Sequence, residues 1–80
     1  MEIIETKIKG LVIIKPDVFT DERGYFFESY NKERFANFGL DMRFVQDNES
    51  RSMKGVLRGL HFQKEPYAQG KLVRVVKGAV

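Results

Sequence analysis

Leu11-Val12-Ile13-Ile14-Lys15-Pro16-Asp17, followed by Tyr25-Phe26-Phe27-Glu28-Ser29-Tyr30, is the stretch that sets the class of fold. The first run is short and β-branched, which reads as a strand that Pro16-Asp17 brings to an end. The second is aromatic-rich and reads as another strand, entered from the polar turn Thr20-Asp21-Glu22-Arg23-Gly24. Toward the N-terminus, Glu2 to Thr6 alternates weakly as a short strand would, and Gly10 breaks it. Toward the C-terminus the pattern turns helical. Asn31 is a plausible N-cap, Phe35 and Phe38 fall on one face of a helix over 32–38, and Gly39 stands where a left-handed C-terminal residue belongs.

Beyond the helix the β pattern resumes. Phe44 to Asn48 reads as strand running into loop, and Glu49 to Lys54 as an exposed loop. Gly55 to Gln63 reads as a strand interrupted at Gly59, and Glu65 to Gly70 as a loop. Lys71 to Val76 carries the strongest strand signal, with Val73, Val75 and Val76 close together. Lys77-Gly78 reads as a hairpin turn, after which Ala79-Val80 begins a return strand. A return strand of that length cannot pair usefully, so residues 1–80 are expected to be the N-terminal part of a larger domain. Short strands with one small helix point to a mainly β sandwich or barrel, a fold that takes ligands in its mouth or bore.

Composition narrows the class. At 42% hydrophobic and 31% charged residues with two prolines, the chain is globular in character rather than disordered. At 80 residues it is marginal as a lone domain unless it assembles. It has no cysteine, which excludes disulfide staples, zinc–thiolate sites and iron–sulfur clusters and fits a cytoplasmic protein. The N-terminus has acids early and no apolar h-region, so it does not read as a signal peptide, and the longest apolar run, Leu11 to Ile14, is too short to span a membrane. The net charge of +3 is compatible with an ordinary solvated surface or with an anionic ligand such as a nucleotide. Its 14 basic residues are scattered along the chain, which argues against a nucleic-acid stripe.

The residues able to do chemistry are few. His61 is the one histidine. One reading makes it a half-buried strand residue with a single hydrogen bond. The other makes it a general base, since its ordinary pKa suits proton transfer near neutrality and Arg58 and Gln63 lie beside it. Strict alternation sends Arg58 and His61 to opposite faces, and a bulge at Gly59 would return them to one. Lys71 is read on spacing alone as a strand-end lysine whose amine reaches solvent. Aimed into a cavity, it would instead stabilise negative charge developing on an oxygen. Arg23, Glu28, Gln46 and Asn48 flank aromatic segments and together suit a nucleotide, the arginine for phosphate or base and the others for imide and hydroxyl groups. Gln63 stands where a metal-binding His-x-His would need its second histidine, so no metal is expected.

These segments form a pattern. Asp21-Glu22-Arg23-Gly24-Tyr25-Phe26-Phe27-Glu28-Ser29, Phe44-Val45-Gln46-Asp47-Asn48, Gly55-Val56-Leu57-Arg58-Gly59-Leu60-His61-Phe62-Gln63 and Tyr67-Ala68-Gln69-Gly70-Lys71-Leu72-Val73-Arg74 resemble, in order and spacing, successive signature blocks of the dTDP-4-dehydrorhamnose 3,5-epimerases. The resemblance covers roughly the first half of that family's length. It implies a cupin-like jelly roll with one short helix, acting as a homodimer in which an N-terminal strand joins the neighbour's sheet. It implies a dTDP-sugar substrate and no cofactor. By position it makes His61 the base that removes protons at C3 and C5 and Lys71 the cation that stabilises the resulting enolate. It makes Arg23, Glu28, Gln46, Asp47, Asn48 and Arg58 substrate-binding residues. The family's acid, a tyrosine, and the residue that orients the histidine lie in blocks not found among these residues, and Tyr67 is not that tyrosine. The 80-residue chain alone is therefore expected not to epimerise at a useful rate. Related 3- or 5-epimerases and ketoisomerases share such blocks. A small basic β-domain stacking single-stranded nucleic acid on Phe26, Phe27 and Tyr30 is the alternative of a different class.

Overall fold

The computed structural model describes all 80 residues, Met1–Val80, in two units, Met1–Arg43 and Phe44–Val80. The first unit holds every regular element: β1 (Glu2–Glu5), β2 (Val12–Lys15), β3 (Val18–Asp21), β4 (Gly24–Phe27) and α1 (Lys32–Asn37). β1 pairs with β2, and β3 with β4, as two separate antiparallel two-stranded sheets. The architecture is mainly β with one short helix, as the sequence implies.

Both sheets are local hairpins, so each closes at small entropic cost. In the first, Ile3 faces Ile14 and Ile4 faces Ile13, while Glu2 faces Lys15 as an opposite-charge pair. The connection between them is tied by Thr6, whose hydroxyl donates to the Leu11 carbonyl at 2.8 Å and accepts from the Ile8 N–H at 3.2 Å. In the second hairpin, Phe19 faces Phe26 and Asp21 faces Gly24. By sequence, all of Thr20 to Gly24 reads as a turn. The turn is in fact only Glu22-Arg23, because Val18, Phe19 and Thr20 are good strand formers opposite an aromatic partner strand. Asp21 closes it, its Oδ1 accepting the Arg23 backbone N–H at 2.9 Å, and Gly24 takes the φ of +134° that a side chain would resist.

The helix has the predicted ends. The Asn31 side chain accepts from the Arg34 N–H at 3.0 Å. At the other end the Gly39 N–H donates to Ala36 and the Leu40 N–H to Phe35, both at 2.9 Å, with Gly39 at φ +82°. That pair of bonds is the Schellman arrangement, and it needs a left-handed residue at Gly39. Phe35 is the buried hydrophobic side chain, 2% exposed, and it meets Tyr30 edge-on with ring centroids 4.8 Å apart. Replacing the cap, Asn31→Ala, is expected to cost about 1 kcal/mol. A thermal melt followed by circular dichroism should show this as a lower midpoint.

A chain of ion pairs ties the start of β1 to the helix. The Met1 amine lies 2.8 Å from Asp17 Oδ2, and Arg34 Nη2 lies 3.7 Å from the same oxygen. The hydrogen bond and charge of the amine, with a smaller contribution from Arg34, hold the Asp17 carboxyl below its ordinary 3.8. A carboxyl whose folded pKa is depressed stabilises the fold above its unfolded pKa and loses that contribution as pH falls through the folded one. The Asp17 contribution should therefore be full above about pH 3.8 and be lost as the pH falls below it. An Asp17→Asn variant, titrated by circular dichroism, should show a shallower acid limb, and an unchanged limb would remove Asp17 from the account.

Phe44–Val80 contains turns but no strand. The Val56 N–H donates to Met53 at 3.2 Å across Lys54-Gly55, and the Tyr67 N–H to Lys64 at 2.8 Å across Glu65-Pro66. A bend covers Val76 to Gly78, with Gly78 at φ +93°. The strands expected over 44–48, 55–63 and 71–76 do not form. Strand propensity measures fit to a paired, half-buried surface, and none of these runs has a neighbouring strand in its unit to take its N–H and C=O groups. No helix is long and apolar enough to cross a membrane.

Candidate functional site

Arg23 stands at the tip of the second hairpin, 90% exposed. Its Nη2 donates to Asp21 Oδ2 at 2.6 Å and its Nε to the same oxygen at 3.2 Å, a forked pair on one carboxylate. That contact, followed by the backbone N–H of Arg23, holds the Asp21 carboxyl below its ordinary value, and it raises Arg23 in turn. The hairpin thus presents a pre-aimed guanidinium beside aromatic faces. Tyr25 and Phe27, two residues apart on the same face of β4, stack with centroids 6.0 Å apart. Phe19 and Phe26, paired across the other face, are 65% and 70% exposed.

Glu28 leaves β4 and meets the start of the helix. Its Oε2 accepts from Asn31 Nδ2 at 3.4 Å and its Oε1 from Arg34 Nη1 at 3.5 Å. Arg23 and Glu28 therefore sit on one hairpin and its exit, Arg23 almost fully and Glu28 a little under half exposed, and both already oriented by neighbours.

The second unit carries the remaining candidates. Gln46 Nε2 donates to Asn48 Oδ1 at 3.4 Å, which draws these two side chains together with Asp47 exposed between them. Arg58 turns back onto the loop before it, donating from Nε to Ser52 Oγ at 2.8 Å and from Nη2 to the Arg51 carbonyl at 3.1 Å. His61 and Lys71 are exposed. The bulge argument for Arg58 and His61 does not apply, because a bulge needs a ladder to interrupt and this segment has none. Gly59 does take a φ of +130°, so the alternation is broken there by glycine geometry instead. No group of three or more His, Asp or Glu side chains is placed to hold a metal ion.

Sequence reading missed three residues that orient the candidates, Asp21 for Arg23, Arg34 for Glu28 and Ser52 for Arg58, while Asn31, read there only as the helix cap, also holds Glu28. The first two had visible signals. Asp two residues before Arg in a turn is an Asx-turn pattern, and Arg34 lies one helical turn from the cap.

Comparison with known proteins fits this arrangement into a family. The family model described as dTDP-4-dehydrorhamnose 3,5-epimerase matches residues 5–80. The chain is 60% identical over 77 residues to the dTDP-4-dehydrorhamnose 3,5-epimerase of Methanothermobacter thermautotrophicus, covering 96% of this chain and 41% of that protein. It is 58% identical over 81 residues to the enzyme of the same name from Shigella flexneri, covering 100% of this chain and 45% of that one. It is 43% identical over 74 residues to a dTDP-4-dehydrorhamnose 3-epimerase of Streptomyces niveus, covering 91% of this chain and 36% of the relative. What the hairpins and their flanking polar residues define is thus a segment of a sugar-nucleotide epimerase fold. The chain belongs to the dTDP-4-dehydrorhamnose 3,5-epimerase family. It spans less than half the length of the curated relatives it matches.

Proposed function

We propose that this chain is part of an isomerase that converts dTDP-4-dehydro-6-deoxy-D-glucose to dTDP-4-dehydro-L-rhamnose, in the cytoplasmic synthesis of dTDP-L-rhamnose. The observation that carries the reading is the family match over residues 5–80, which includes every candidate residue from Arg23 to Lys71. Residues 1–80 make up the N-terminal part of one cupin-like domain. In the homodimer, the N-terminal strand joins the neighbour's sheet. β1 supports this, because a two-stranded sheet leaves one of its edges unpaired.

The chemistry follows from the substrate. Hydrogens at C3 and C5 are α to the C4 ketone, so removing either one gives an enolate with its charge on the C4 oxygen. His61 takes the proton. Lys71 stabilises the oxygen as charge develops on it, and it does so best where water is excluded. Arg58 binds near the sugar or diphosphate, and Arg23, Glu28, Gln46, Asp47 and Asn48 bind the nucleotide. Reprotonation from the opposite face inverts each centre. No metal or organic cofactor takes part.

The test is deuterium uptake. The substrate is incubated in heavy water with the chain itself, and with a chimera of residues 1–80 joined to the remainder of the Methanothermobacter relative, and C3 and C5 are followed by NMR. Deuterium at both carbons supports the 3,5-epimerase. The relative from Streptomyces niveus carries a second reading, a 3-epimerase, which deuterium at C3 alone would favour. No uptake by the chimera would overturn both. The chain alone should release at most exchanged substrate and no epimerised product, because it holds the base and the charge stabiliser without the acid.

A further inference from the structure

Glu28 is gripped from one side by the first turn of α1. Asn31 spans the gap, its Oδ1 accepting from the Arg34 N–H at 3.0 Å while its Nδ2 reaches Glu28 Oε2 at 3.4 Å. Arg34 Nη1 takes the other carboxylate oxygen at 3.5 Å. The second nitrogen of that guanidinium, Nη2, faces Asp17 Oδ2 at 3.7 Å. The Met1 amine already holds that oxygen at 2.8 Å, so Asp17 is mainly occupied and the fork of Arg34 is braced between two carboxylates. Glu28 thus has both oxygens oriented by side chains of one helical turn.

We infer that Arg34 is a positioning residue for Glu28: it sets the direction in which that carboxylate offers its lone pairs to a nucleotide. The inference rests on the reading of Glu28 as a nucleotide-binding residue. Half-exposed ion pairs of this length contribute little to stability, because solvent screens them and the side chains lose entropy on pairing. What such a pair can do is restrict rotamers, and a carboxylate already oriented loses less freedom on accepting a ligand's N–H. The effect should therefore appear in affinity more than in folding.

The experiment titrates the chimera of residues 1–80 joined to the remainder of the Methanothermobacter relative with dTDP by NMR, in wild type, Glu28→Gln, Arg34→Met, Arg34→Lys and the Glu28→Gln/Arg34→Met double variant. Glu28→Gln should weaken binding about tenfold, as expected for a lost charge-assisted bond. Arg34→Met should weaken it roughly two- to fivefold, the range of an exposed pair. Arg34→Lys should recover part of that loss, and the double variant should be no worse than Glu28→Gln alone. Circular dichroism on each variant checks the helix, with Arg34→Gln as a second neutral variant should Arg34→Met lose helicity. If wild type does not bind dTDP, or Glu28→Gln binds as wild type does, the reading of Glu28 fails and the inference goes with it. If Glu28→Gln weakens binding and neither neutral Arg34 variant does, the positioning role alone is overturned. Losses that track helicity and that Arg34→Lys fails to recover assign Arg34 a structural role and overturn it likewise.

Discussion

His61→Ala should lower the rate of deuterium uptake at C3 and C5 by about 10²–10⁴, the usual contribution of a positioned general base. The expectation rests on chemistry that only one side chain type in this segment supplies well. A proton α to a ketone is weakly acidic, and its removal needs a base that is free near neutral pH and close to the carbon. Among residues 55–76 the titratable groups are Arg58, His61, Lys64, Glu65, Tyr67, Lys71 and Arg74, and His61 is the one whose ordinary pKa suits that task. Lys71→Met should also slow uptake, by about 10²–10³, as removal of one donor from a developing oxyanion does. The two variants differ in kind. Loss of the base should be felt equally at both carbons if one histidine serves both, since each proton leaves through the same group. Loss of Lys71 should raise the barrier to every enolate, whichever carbon is ionised. The measurement is made on the chimera, so that absence of the rest of the domain does not mask the effect. Uptake in His61→Ala at the wild-type rate would place the base elsewhere and remove the central step of the proposed mechanism.

What could be read from the residues is what is local. β1, β2, β4, the Asn31 cap and the Gly39 terminus all follow from runs and stop signals within a few residues of each other, and the structure has each of them. β3 was hidden because Asp21 and Thr20 look like turn residues until Phe26 and Tyr25 are placed opposite them. The stretch over 71–76 has the most strand-like composition in the chain and forms no strand, because a strand requires a partner and composition says nothing about whether one is near. The candidate site divides the same way. Residue types and their order were enough to reveal the family blocks that the match over residues 5–80 bears out. The orientation of Arg58 onto Ser52 and the hold of Arg34 on Glu28 were not legible, since each depends on a rotamer choice across six residues of chain.

Phe35→Ala should melt α1 and the structure around it. Truncating a buried phenylalanine costs about 3–5 kcal/mol, the sum of lost transfer energy and the cavity it leaves. Native stability runs at about 0.05–0.15 kcal/mol per residue, so a unit of the size of Met1–Arg43 has roughly 2–6 kcal/mol to lose. One substitution thus removes an amount comparable with the whole. The reason is concentration. Phe35 is the buried hydrophobic residue, whereas Phe19, Phe26 and Phe38 all stand open to solvent, so no second core side chain shares the load. The helix depends on it as well. At six residues α1 is far below the length at which propensity alone sustains a helix in water, and the Tyr30 ring against Phe35 supplies packing that the caps cannot. Phe35→Leu, which keeps most of the apolar volume, should lose much less and leave the helix in place. The check is the circular dichroism signal at 222 nm for the two variants beside wild type, followed through a thermal melt. An alanine variant that keeps the wild-type helical signal and midpoint would show that the helix is held by its caps and ion pairs, with Phe35 a passenger.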